Sequence, residues 1–119
     1  MILVDTSVWI DHFRGTSTAL AEVLERDEVL MHPFVVGELA CGNLKDRGDV
    51  LELLQQLPSC VLAEHEEVLM FIETRKLFGR GIGYVDAHLL ASAAMQRAAL
   101  WTRDRRLQSV ADDLDLARV

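Results

Sequence analysis

Four acidic residues, Asp5, Glu38, Asp86 and Asp104, are spaced so that an α/β fold can use them together. Asp5 ends the apolar run Ile2-Leu3-Val4, which reads as a buried strand, and the chain passes through Thr6 and Ser7 straight into a helix. Asp104 follows Leu100-Trp101-Thr102 in the same way. In parallel α/β sheets the carboxyl ends of strands open a crevice where ligands bind, so both acids are aimed at such a crevice. Glu38 shares a helix stripe with Phe34, Val35 and Cys41. Asp86 precedes Leu89, Leu90 and Ala93, which occupy the positions expected to face the sheet.

Each acid also has a local explanation. Asp5 or Thr6 can cap the first helix, Asp104 can cap the last, and Asp86 suits the dipole of a helix N-terminus. Glu38 can sit on the exposed edge of its stripe. These four explanations are independent, whereas one shared site accounts for all four residues. Carboxylates gathered in a half-desolvated pocket repel one another and take up protons unless a cation is present. Oxygen-only donors suit a hard cation, magnesium or manganese, which polarises a phosphoryl oxygen and lowers the pKa of a bound water. The implied chemistry is phosphodiester hydrolysis by an activated water. Thr6, Ser7 and Thr102 offer hydroxyls beside Asp5 and Asp104 that orient a water or a carboxylate.

The elements that must position these residues alternate. Helices are expected from Thr6 to about Phe13, between Ser17 and Asp27, from Pro33 to about Asn43, and from Asp49 to Leu57. Further helices are expected from His65 to about Phe78, from Tyr84 to Ala98, and from Arg105 to Asp113. Strands are expected at Ile2–Val4, Val29–His32, Cys60–Leu62 and Ala99–Thr102, with a short edge strand within Leu114–Val119. This alternation implies a single α/β domain over 1–119, a sandwich with a mostly parallel sheet. Gly79, Gly81 and Gly83 make a glycine-spaced run, but it follows a helix rather than a strand. A loop or lid is expected there, not a dinucleotide site. Tyr84 and Trp101 read as core residues rather than base-stacking platforms, and His88 reads as structural.

A net charge of −7 argues against a generic nucleic-acid binder, yet it is compatible with an enzyme whose bound cations bridge carboxylate to phosphate. Cys41 and Cys60 are far apart, show no zinc-type spacing with the histidines, and read as small buried hydrophobes. No run is apolar enough to cross a membrane and the N-terminus lacks a basic segment, so the expected compartment is the cytoplasm.

Val4-Asp5-Thr6-Ser7, Gly37-Glu38-Leu39, Val85-Asp86-Ala87 and Trp101-Thr102-Arg103-Asp104 together resemble the four signature segments of PIN-domain nucleases. The chain's size and its opening Ile-Leu-Val-Asp-Thr-Ser are most similar to the VapC-type toxins of bacterial toxin–antitoxin pairs. The resemblance implies a three-layer α/β/α sandwich and an acidic cluster of Asp5, Glu38, Asp86 and Asp104. It also implies magnesium or manganese as cofactor, RNA as substrate, a homodimer, and inhibition by a small cognate antitoxin. Asp5, Asp86 and Asp104 are the expected metal ligands, and Thr6, Ser7 and Thr102 their supporting groups. For phosphate contacts, Arg103 and Arg105 flank Asp104, and Arg80 lies in the glycine run. The competing reading is an idle PIN-like domain that only binds a protein partner. A receiver domain is disfavoured because neither middle strand ends on an acid, and a phosphatase because Asp5 lacks a second acid two positions on.

Overall fold

The structure, a computed structural model, describes residues 1–118. Its centre is β1 (Ile2–Val4), whose Leu3 and Val4 side chains are fully buried. The strand is flanked in parallel by β2 (Val29–Leu30) and β3 (Ala99–Trp101), giving the order β2-β1-β3. Parallel neighbours require crossovers, and the chain supplies them as helices. These are α1 (Thr6–Phe13) and α2 (Ala19–Glu25) after β1, then α3 (Pro33–Cys41), α4 (Arg47–Gln55), α5 (His65–Arg75) and α6 (Tyr84–Gln96) between β2 and β3. A last helix, α7 (Arg105–Asp113), follows β3. Helix α1 packs on α2 and α3, α3 on α4, and α5 on α6, while α6 reaches both β1 and β3. The result is the expected α/β/α arrangement around a parallel sheet.

Two expected strands are reduced to single bridges. At Cys60–Leu62 only the preceding Ser59 bridges Met31. The ladder begins there, with Met31 N–H donating to Pro58 and Cys60 N–H to Met31, but Val61 N–H then donates to the Gln96 side chain at 2.7 Å. The Val61 N–H faces away from β2, and the ladder stops because the partner strand gives way to α3 at Pro33, which has no N–H to donate. At the other edge Ala117 bridges Leu100, and the rest of the expected Leu114–Val119 strand is absent up to Arg118; Val119 lies outside the described residues.

The core runs between sheet and helices through Val8, Trp9, Leu20, Val35, Leu39, Leu89, Leu90 and Leu107. Cys60 belongs to it as expected, but Cys41 is exposed at the end of α3. Among the described residues, no helix is long and apolar enough to cross a membrane.

Candidate active site

The carboxyl ends of β1 and β3 lie side by side, because β1 pairs with β3 in register up to Val4 opposite Trp101. Asp5 and Thr102, the next residue on each strand, therefore meet. Thr102 Oγ1 donates to Asp5 Oδ2 at 2.7 Å, and Ser7 Oγ donates to the same oxygen at 2.8 Å. Asp5 stands at the N-cap of α1, yet its side chain makes no capping bond. It is also 7 % exposed. A nearly buried carboxylate that neglects the helix beside it and collects two hydroxyls is poorly explained by capping.

Thr102 joins two acids. Besides donating to Asp5, its hydroxyl accepts the backbone N–H of Asp104 at 3.0 Å, and Ser7 Oγ accepts that of Arg103 at 2.9 Å. The strand exit is thereby bent so that Asp104 begins α7. Asp104 does serve as a cap, its Oδ1 accepting from the N–H groups of Arg106 and Leu107 at 2.9 and 3.0 Å. The local explanation of Asp104 is thus correct, but it uses only one carboxylate oxygen.

The other two acids come from helices. Glu38, exposed on α3, accepts from Thr6 Oγ1 at 2.7 Å, which ties α3 to the start of α1. Asp86, half-buried in the first turn of α6, accepts the Gly83 N–H at 3.1 Å. Its carboxyl pKa is raised, first by burial and then by the charges of Asp5, Asp104 and Glu38, while the Gly83 hydrogen bond opposes the shift. Four acids separated by up to 99 positions, from Asp5 to Asp104, thus share one electrostatic neighbourhood. Asp5 lies deepest, Asp86 is intermediate, and Glu38 and Asp104 form the rim.

In each acid one oxygen is held by the chain, and the other has no hydrogen-bond partner among the described residues. Such a set offers hard oxygen donors without filling them. Among the described residues, however, no three His, Cys, Asp or Glu side chains are close enough to enclose a metal ion by themselves. Magnesium-type ions keep several waters and take one or two carboxylates, so the donor chemistry fits a cation held largely through water.

The glycine run is braced rather than open. Arg80 pairs with Asp113 of α7 at 2.7 Å, and the Arg106 side chain lies over Gly81, where a Cβ would come within 2.7 Å of Arg106 Cδ. Gly81 also has φ +81, a left-handed conformation that favours glycine. The loop leading into Asp86 is therefore clamped to the helix that Asp104 starts. Arg103 reaches Asp11 at 3.3 Å and Ser17 at 3.3 Å, so Arg80 and Arg103 both have acidic partners. Arg105 is exposed and has no ion pair among the described residues.

An aromatic group gathers around Phe34, one turn before Glu38 on α3. Buried His88 lies 4.8 Å from the Phe34 ring and 4.6 Å from the Tyr84 ring, both in edge-on contact, and Tyr84 is hydrogen-bonded to His65. His32 lies fully buried beneath them, accepting the Phe34 N–H at Nδ1. Burial, then the nearby His88, pushes its pKa down to about 4. Trp101 is core, as expected, with the Arg118 guanidinium over its ring. Tyr84 is not core, since it is 43 % exposed. The sequence held one usable signal: Phe34 lies one helical turn before Glu38, on the same face.

The family model "PIN domain" matches residues 2–113, so the chain belongs to the PIN-domain family. Within that family it belongs to the VapC type. It is 48 % identical over 118 residues to Ribonuclease VapC32 of Mycobacterium tuberculosis, in strains CDC 1551 / Oshkosh and ATCC 25618 / H37Rv. The match covers 98 % of this chain and 95 % of each relative.

Proposed function

We propose that this protein is an endoribonuclease toxin, dependent on magnesium or manganese and neutralised by a cognate antitoxin. The family and the near full-length likeness to a ribonuclease support the activity. The observation that carries the choice of residues is the convergence of Asp5, Glu38 and Asp104 on Asp86, whose carboxyl pKa is raised by burial first and by those three charges in addition. When bound, the cation supplies Lewis acidity toward the phosphate and acidifies a water. Asp5, Asp86 and Asp104 are proposed to hold it, with their free oxygens reaching it largely through its bound waters. Glu38, on the rim, orients the attacking water by accepting its hydrogen bond. Thr102 and Ser7 hold Asp5 in one rotamer, and Thr6 does the same for Glu38. Preorganised acceptors of this kind avoid reorganisation as the reaction proceeds. Arg105 is the best placed of the three arginines for a phosphate, while Arg103 and Arg80 must first exchange their carboxylate partners.

A cavity of about 350 Å³ opens beside Glu38, lined by Ile10, Phe13, Leu39 and Leu44, with Arg14 and Lys45 in its walls. That combination suits an antitoxin segment bearing apolar and acidic side chains. The exposed Leu69, Met70 and Met95 on α5 and α6 support a homodimer contact, and an RNA substrate fits action in the cytoplasm. The idle-domain reading draws on the lack of a ready three-donor metal cluster among the described residues.

Cleavage separates the two. Wild-type protein is expected to cut RNA with magnesium or manganese and to stop in excess chelator. Asp5→Asn is expected to fold with an unchanged circular dichroism spectrum and to lose at least about a hundredfold in rate. Cleavage that persists in that variant or in chelator would overturn the proposal.

A further inference from the structure

We propose that Phe34 and Tyr84 form a stacking platform for an unpaired base of the RNA whose phosphate occupies the acidic site. The inference rests on the nuclease reading and adds how the substrate is gripped. Phe34 is 38 % and Tyr84 43 % exposed, although aromatic rings gain from burial. Both stand in the first turn of a helix that brings an acid to the site. Phe34 precedes Glu38 on α3 by one turn, about 6 Å of axial rise, on the same face, and Tyr84 joins it through His88, one turn further along α6.

The rings are also held. His88 separates them, meeting Phe34 at an interplanar angle of 70° and Tyr84 at 89°. His88 rests in turn on the edge of buried His32, and His65 anchors the Tyr84 hydroxyl. Side chains fixed before binding lose little entropy when a ligand lands on them. Two exposed rings propped by a buried histidine amount to a built surface one helical turn from Glu38, on the rim of the acidic site.

Charge gives the platform a purpose. A net charge of −7 leaves little general attraction for a polyanion, and Arg80 and Arg103 are already paired with acids. Stacking on an aromatic face is insensitive to that repulsion and tolerates any base. It supplies affinity where the phosphate contacts are few.

The test uses the cleavage-inactive Asp5→Asn protein with two fluorescein-labelled probes, a uridine 12-mer and an abasic ribose-phosphate 12-mer. The uridine oligomer is expected to bind roughly tenfold tighter than the abasic one. Tyr84→Ala and Phe34→Ala are expected to bring that ratio toward one, and Tyr84→Trp and Phe34→Trp to restore it. In the cleaving protein the same alanine changes raise KM about tenfold and leave kcat within about twofold. Unchanged ratios in folded alanine variants of a protein that does cleave RNA overturn the platform and leave the nuclease intact. A changed oligomeric state with unchanged RNA affinity assigns the rings to a protein contact and likewise overturns it. Absence of RNA cleavage by wild-type protein removes the nuclease reading itself, and the platform with it.

Discussion

Thr102→Val tests whether the strand-end hydroxyl ties the site together. Valine keeps the shape of threonine, so packing around this residue, only 5 % exposed, is conserved while the hydroxyl is lost. Two hydrogen bonds go with it. The 2.7 Å bond to the Asp5 carboxylate is charge-assisted, worth about 1.5–3 kcal/mol. The Asp104 N–H at 3.0 Å is left without its partner, at a cost of about 1 kcal/mol. Ser7 still serves Asp5, which limits the sum to about 3 kcal/mol. For a chain of 119 residues this corresponds to a fall in Tm of roughly 10 °C, read by thermal circular dichroism. Freeing Asp5 and Asp104 together should also cut RNA cleavage by about 10- to 100-fold, the usual effect of losing such a supporting partner. Thr102→Ser retains the hydroxyl and should keep cleavage within about threefold of wild type. A Val variant that melts early but cleaves at full rate would refute the link between this hydroxyl and the chemistry. An unchanged Tm would refute the energetic argument as well.

Two further perturbations follow from the protonation behaviour of the site and its surroundings. Asp86 has a raised pKa when folded, so metal-free protein loses stability as pH rises from the ordinary carboxylate value through the folded one. Asp86→Asn removes that penalty and should give a higher Tm than wild type in chelator at pH 7, with the difference vanishing toward pH 4; a lower Tm at pH 7 would contradict the crowding of carboxylates. His32 has the opposite dependence, since a pKa of about 4 favours its neutral form in the folded chain. Its contribution, about 3 kcal/mol, is present above pH 6.5 and lost as pH falls toward 4. His32→Asn, which keeps an acceptor for the Phe34 N–H, should flatten that part of the urea-stability profile, and an unaltered slope would count against it.

The parts of the fold that were legible in the sequence are those set by local pattern. Apolar β1 ending on Asp5, and Arg105–Asp113 after Asp104, follow from runs and periodicity that no distant contact disturbs. The parts that were not legible depend on partners far along the chain. Cys60–Leu62 looks like a strand, but its partner gives way to α3 at Pro33, and the outward Val61 N–H goes to Gln96, 35 residues away. Tyr84 looks like core by residue type, yet its hydroxyl is bonded to His65 on another helix and its ring faces partly outward. Leu53 and Leu69 are large apolar residues on helices, yet they are 63 % and 49 % exposed. Among the site residues, the positions of the acids were readable because strand exits and helix starts carry them. Their roles within the crevice were not: only the pairing of β1 with β3 reveals that Thr102 bonds Asp5, and only the folded chain pairs Arg103 with Asp11 and Arg80 with Asp113.

The most direct measurement is anomalous diffraction from crystals of the full chain soaked in manganese. An anomalous peak beside the free carboxylate oxygens of Asp5, Asp86 and Asp104, lost in crystals of Asp5→Asn, is the expected result. Manganese bound elsewhere, or no peak at that crevice in well-diffracting wild-type crystals, would contradict the metal-centred account.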